Sequence, residues 1–219
     1  MGHQPLGSAH GWLDATSATT TTTIGKQVDA QYLAFFRDAM TRFVSSVLYV
    51  NRHKNLTLEK VVQSIKKRVT GARRKGKYHN EYATYLITPQ QQRALDEMNN
   101  ATMKDRTNLV LQNLVDYPVA IGIVERMLES LEILQYILDS KDEIRGLFKV
   151  FGMDSNWTRV TTNKSTMSSS AVVKELCKDE AFMKEFREYV KYEDIVFAFA
   201  WKLHLRQHQF VKAARNVTL

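Results

Sequence analysis

The sequence predicts an α/β domain in which a parallel sheet is flanked by helices. Two apolar blocks carry that expectation, Gln31 to Phe36 and Pro118 to Val124, because each runs at once into a stretch with helical spacing. Two strand–helix units in one chain assemble most simply as parallel strands joined by helical crossovers. The third observation is size. A chain of 219 residues, 44% hydrophobic and 25% charged, fits a single domain able to bury a core.

The elements follow in order. Residues 8–25 are small and Thr-rich, with a run from Thr19 to Thr23, and read as a flexible loop. In the first strand Tyr32, Leu33, Phe35 and Phe36 form the apolar block, which Arg37 and Asp38 end. Ala39 to Val50 reads as a helix with Met40, Phe43, Val44 and Val47 on one face. Leu58, Val61, Val62, Ile65 and Val69 mark a second helix, and Thr88-Pro89 opens a third by N-cap and first-turn proline. That third helix is expected to run to about Leu114. The second strand follows, and then a helix marked by Met127, Leu128, Leu131, Leu134 and Leu138. Residues 152–170 read as loop. Two more helices are expected, Ala171 to Phe186 and Asp194 to about Lys212. There is no internal repeat and no sign of a second domain. Two strands make a small sheet, so further strands are expected to be missed here or to lie outside this chain.

Charge and composition narrow the partners. Net charge is +8 and the pI about 9.5, which favours an anionic partner. Lys66, Lys67, Arg68, Arg73, Arg74, Lys75 and Lys77 fall in one short span, either a polyanion site or a solvated helix end. No zinc spacing and no RNA-binding signature is present, so a nucleic-acid module is not expected. Cys177 is the single cysteine, which excludes an internal disulfide. Asn55, Asn100, Asn156, Asn163 and Asn216 each begin an N-x-S/T sequon, pointing to a lumenal or secreted history. No apolar run reaches the roughly 18 residues of a membrane span, and Met1 to Trp12 lacks a signal-peptide pattern.

Arg37 with Ser45 is the first candidate site. Arg37 stands where a strand gives way to a helix, where backbone N–H groups and the positive end of the helix dipole suit a phosphate. Its planar fork matches phosphate oxygens, and the Ser45 hydroxyl two turns on could donate to the same anion. The competing reading pairs Arg37 with a surface carboxylate and leaves Ser45 as a small helix residue.

The segment "YLAFFRDAMTRFVSSVLY" resembles the 3′-phosphate-binding segment of sulfotransferases, in which a strand runs into Arg and a Ser follows eight residues later. Arg42, Phe43 and Ser46 match the usual surroundings, while Ala39 replaces the family's proline. "YHNEYATYL", "YPVAIGIVERMLESLEILQYIL", "TRVTTNKST" and "YEDIVFAFAWKLHLRQ" are similar to later family segments in the same order. The set is most similar to membrane-tethered carbohydrate enzymes, the heparan sulfate and uronyl 2-O-sulfotransferases.

The resemblance implies a P-loop-NTPase-like sulfotransferase fold and sulfuryl transfer from 3′-phosphoadenosine 5′-phosphosulfate to a carbohydrate such as an anionic glycan, without a metal. Arg37 and Ser45 would bind the 3′-phosphate. Arg159 and Thr161 would contact the same nucleotide from the late loop. His3, in "GHQPLG", would be the catalytic base, against the plainer reading of a histidine on a flexible end. It implies a Golgi-lumenal, type II membrane protein whose tether is absent from this chain. The family's first strand and Lys-bearing phosphate loop have no counterpart: "GARRKGK", Gly71 to Lys77, follows the Arg37–Ser45 segment instead of preceding it. The expectation is an N-terminally truncated, inactive domain. Two alternatives stand beside it, a polyanion (heparin or RNA) binder using residues 66–77 and a family member that has lost activity.

Overall fold

The computed structural model describes residues 32–54, 56–98, 100–138 and 167–217. Strands β1 (Tyr32–Phe36) and β2 (Val119–Ile123) pair in parallel, with Tyr32 opposite Val119 and Phe36 opposite Ile123. This is the pairing expected of two strands that each lead into a helix. Among the described residues the sheet has these two strands only, in a chain that is otherwise mostly helical.

Five helices make the crossover from β1 to β2. The first, α1 (Ala39–Val50), is capped by Asp38, whose carboxylate accepts the Thr41 N–H at 2.9 Å. It buries Ala39, Met40, Phe43, Val44 and Val47, the stripe its spacing predicts. In α2 (Leu58–Arg74) Thr57 is the N-cap and Val61, Val62, Ile65 and Val69 are buried. The helix terminates at Gly76, whose φ of 65° is the left-handed conformation that favours glycine. A short α3 (Tyr82–Tyr85) precedes α4 (Pro89–Glu97) and α5 (Met103–Asp116).

The single helix expected from Thr88 to Leu114 is therefore two. Thr88 and Gln91 form one capping box, and Thr102 and Asp105 form a second that starts α5 afresh. After β2, a 3-10 turn (Val124–Arg126) leads into α6 (Met127–Leu138). The chain ends with α7 (Ser169–Leu176) and α8 (Glu180–Val217), a single helix of 38 residues. The break expected between Phe186 and Asp194 does not exist. It lies at 177–179, where the Asp179 carboxylate accepts the Phe182 N–H at 2.9 Å and the Lys66 ammonium anchors it at 2.5 Å.

The sheet is covered on both faces, which is why its strands read as continuous apolar runs. Leu33, Phe35 and Ala120 pack with Met127, Leu131, Leu134 and Ile137 of α6. Ala34, Phe36, Ile121 and Ile123 pack on the other side with Val110 and Leu114 of α5 and Val196 and Ala200 of α8. A third cluster joins α1, α2 and α7 to the first half of α8 through Phe43, Ile65, Leu176 and Phe186. The outer edge of β2 is closed by side chains. Gln207 donates to the Val119 carbonyl at 2.7 Å and accepts the Ile121 N–H at 2.9 Å; His204 donates to the Ile121 carbonyl at 2.8 Å. The Ser130 hydroxyl accepts the Ile123 N–H at 2.8 Å and lies 3.0 Å from the Ile123 carbonyl.

Gly122 lies opposite Phe35, and a Cβ there would fall inside the van der Waals envelope of the Phe35 ring. Gly122→Ala is expected to lower unfolding free energy by about 1–3 kcal/mol in a urea titration. The loss should shrink in a Phe35→Leu background; equal losses in both backgrounds would show that the ring is not the obstacle.

Candidate functional site

The carboxyl ends of β1 and β2 emerge together, at the edge of a parallel sheet where α/β proteins bind ligands. Arg37 follows β1 directly and Ser45 lies on α1, the placement the sequence predicts for each. The Tyr82 phenol from α3 spans the Arg37 peptide: its oxygen accepts the Arg37 N–H at 2.9 Å and its O–H donates to the Arg37 carbonyl at 2.8 Å. Burial pushes the Tyr82 phenol up to about 12, so it remains a donor at any physiological pH. Both side chains of the predicted pair are half-buried, and among the described residues neither the Arg37 guanidinium nor the Ser45 hydroxyl has a hydrogen-bond or ion-pair partner.

The helix end beside them differs from the expectation. Asp38 caps α1 with its carboxylate, and the Asp38 N–H donates to Glu125 Oε1 at 3.0 Å. Glu125 comes from the turn after β2, so the bond ties the two strand ends together. Two carboxylates thus occupy the positive end of α1 that the sequence offered to a phosphate. An anion here would be held by the Arg37 and Ser45 side chains, against those two negative charges.

One turn further along α1, Arg42 is clamped between Glu81 and the fully buried Glu193 of α8. Its Nε donates to Glu193 Oε1 at 3.0 Å, and its guanidinium lies 4.9 Å from the centre of the Tyr82 ring. The other Glu193 oxygen accepts the Glu81 N–H at 3.3 Å. Burial pushes the Glu193 carboxyl up, and Arg42 opposes that shift. His79 completes the cluster, stacked on Tyr189 at 5.5 Å and 3.7 Å from Glu193 Oε2. Burial lowers His79 to about 4, helped by the Arg42 and Arg68 cations. Buried and beside two guanidiniums, the imidazole stays neutral at neutral pH.

His3, Arg159 and Thr161 lie outside the described residues, as does the 8–25 segment. Of the other residues matched to the family segment, Phe43 is core, and Ser46 donates to its own helix at the Phe43 carbonyl, 2.8 Å away. The basic run 66–77 is partly absorbed by the fold. Lys66 pairs with Asp179, while Arg68 and Arg73 lie over the Phe43 and Tyr78 rings at 5.1 and 5.0 Å. Lys67, Arg74, Lys75 and Lys77 are exposed. Sequence reasoning missed Glu193 and Tyr82. Glu193 carried a signal, since it is a charged residue spaced with Phe186, Tyr189, Val190 and Val196 on the apolar stripe of α8. No protein-family model, no curated protein and no solved structure matches this chain.

Two outcomes follow from the cluster. Arg42→Met leaves the Glu193 charge buried without its cation and should cost about 3–5 kcal/mol of stability by urea titration. Adding Glu193→Gln should restore most of that; simple additivity would show that the two do not act as a pair. With His79 depressed to about 4, the unfolded chain binds more protons than the folded chain between about pH 4 and 6.5. Stability therefore rises with pH across that window and is lost as pH falls through it, by at most about 3 kcal/mol. In His79→Phe that part of the slope should vanish from the pH dependence of the urea midpoint; an unchanged slope would assign it elsewhere.

Proposed function

We propose that this chain forms the 3′-phosphate-binding part of a carbohydrate sulfotransferase, with Arg37 and Ser45 holding the 3′-phosphate of 3′-phosphoadenosine 5′-phosphosulfate. One observation carries the reading. At the carboxyl end of a parallel strand, an arginine and a serine eight residues apart are both half-buried and unpartnered among the described residues. A surface arginine in a mouth containing Asp38 and Glu125 would ordinarily pair with one of them, yet neither contacts its guanidinium. Ser45 stands about 9 Å along α1 from Ala39, so a shared anion requires the long Arg37 side chain to lie back along the helix. Sulfuryl transfer depends on positioning and on stabilising charge at the in-line oxygens. The sequence supplies no Lys-bearing loop for the 5′ side, so binding without turnover is the activity proposed for residues 1–219. Acceptor class, Golgi location and the base role of His3 rest on the sequence resemblance.

Calorimetry with 3′-phosphoadenosine 5′-phosphate, against adenosine 5′-phosphate as control, tests the reading. The 3′-phosphorylated nucleotide should bind weakly but better than the control. Arg37→Ala should cost about 10- to 150-fold in affinity, the value of one charge-assisted bond of roughly 1.5–3 kcal/mol. Equal affinity for the two nucleotides would refute the site. A second reading has its own support in Lys67, Arg74, Lys75 and Lys77, exposed along the second half of α2 and just beyond it, which suit a sulfated or phosphorylated polymer. It expects the combined Lys67, Arg74, Lys75 and Lys77 to Ala variant to elute from heparin at distinctly lower salt, with Arg37→Ala unchanged.

A further inference from the structure

Residues 60–77 hold eight Lys and Arg residues and no Asp or Glu, so this span alone matches the net charge of +8 of the whole chain. Most of it is α2, whose apolar stripe of Val61, Val62, Ile65 and Val69 is turned into the core. On the opposite side of the helix runs a line of residues spaced by four and three: Lys60, Ser64, Lys67, Gly71 and Arg74. Cations and small residues alternate along it. The three cations are exposed, and their side chains have no ion-pair or hydrogen-bond partner among the described residues. Successive cations stand about 10.5 Å apart, and the line is about 21 Å long.

Two of these residues run against helix stability. Lys60 stands in the first turn, where the helix dipole disfavours a cation. Gly71 stands in the interior, where glycine is the poorest helix former after proline. Packing does not require that glycine, because a Cβ there would meet no atom within 4 Å. The acids that neighbouring segments bring to α2 are engaged on its flanks. Asp179 holds Lys66, and Glu185 accepts the Thr70 hydroxyl at 2.8 Å. Glu59 precedes Lys60 in the chain and lies about 100° from it around the helix.

We propose that this line seats one extended strand of a sulfated glycan, lying along α2 with sulfate groups on Lys60, Lys67 and Arg74 and its backbone over Ser64 and Gly71. The seat presupposes the polyanion reading above and is independent of the nucleotide site. With no side chain at Gly71, a polymer can come down onto the helix between two cations. Lys75 and Lys77 extend the positive surface beyond the helix end. The surroundings favour a sulfated glycan over other polyanions. Sites for single-stranded nucleic acid add aromatic faces on which bases stack. The line has none, and Tyr78, just past the helix, has Arg73 and Lys191 against its ring at 5.0 and 4.7 Å. A helix lying on a bilayer turns apolar side chains to the lipid, whereas those of α2 are in the core. Ser64 and the exposed Gln63 instead offer hydrogen-bonding groups suited to sugar hydroxyls.

Titration of the full chain with heparin oligosaccharides of graded length tests this. Affinity should rise steeply with length until the oligosaccharide spans about 21 Å, and only weakly beyond. Lys60→Ala and Arg74→Ala, at opposite ends of the line, should each reduce the slope of log affinity against log salt by about one, the loss of one ion contact. Gly71→Met changes no charge; it should raise the melting temperature and yet weaken heparin binding. A slope unchanged by Lys60→Ala, or a Gly71→Met chain that binds heparin as tightly as the native one, would overturn the seat. If the combined Lys67, Arg74, Lys75 and Lys77 variant still lost affinity in that case, the polyanion reading would stand without it. No heparin binding by the native chain would refute both. Tighter binding of a single-stranded oligonucleotide of matched charge would overturn the choice of a sulfated glycan.

Discussion

The outer edge of β2 has to be satisfied by side chains, because no strand among the described residues lies beyond it. An unpaired strand edge buried under helices would leave N–H and C=O groups without partners. Here Val119, Ile121 and Ile123 face that edge, and Gln207, His204 and Ser130 meet them with an amide, an imidazole and a hydroxyl. Two of the three come from α8. That helix is therefore bound to the sheet by directional bonds as well as by apolar contact, and its rotation about its own axis is set by them.

Much of the remaining architecture follows from that placement. Glu193 lies eleven residues before His204 on α8, about 16 Å along the helix. Once His204 and Gln207 are bonded to β2, Glu193 is carried to the point where α1 and α3 meet, and Arg42 is the cation that meets it. The pair costs desolvation, and its geometry is supported by the Glu81 N–H and the Tyr82 ring. Tyr82 in turn bridges the Arg37 peptide and so holds the turn after β1 in place. A polar chain thus runs from the edge of β2, through the rigid rod of α8, to the residue proposed to hold a phosphate.

The electrostatics at the strand ends are mixed, despite the net charge of +8. Asp38 and Glu125 lie against the N-terminal end of α1, Arg42 is committed to Glu193 and Glu81, and Arg37 is left with no partner among the described residues. The positive excess lies elsewhere, in part on the exposed end of α2. The two proposed anion sites therefore differ in kind: one arginine at a strand end, where geometry would select the ligand, and an open group of cations, where charge density would.

Both strands, α1, α2 and α6 were legible in the sequence because each presents a local pattern dense enough to overcome its neighbours: apolar blocks for the strands, a 3.6-residue stripe for the helices. The capping box of Thr102 and Asp105 was also written in the sequence, but it lies inside a polar run with weak periodicity, where a stop is hard to tell from continuation. Helix α8 was misread for a different reason. The charged residues Arg187, Glu188, Lys191, Glu193 and Asp194 look like a break, yet Tyr189, Val190 and Glu193 keep to the buried stripe. What the sequence determined alone was the strand–helix units, the parallel pairing and the position of Arg37 and Ser45, all set by periodicity and by residues close in the chain. Only the tertiary structure decided that Glu193 would be buried against Arg42, that carboxylates would cover the start of α1, and that two histidines, His204 and His208, would face Glu129. Each of those depends on groups from distant helices meeting in a region of low dielectric, where partners fix whether a charge is tolerated.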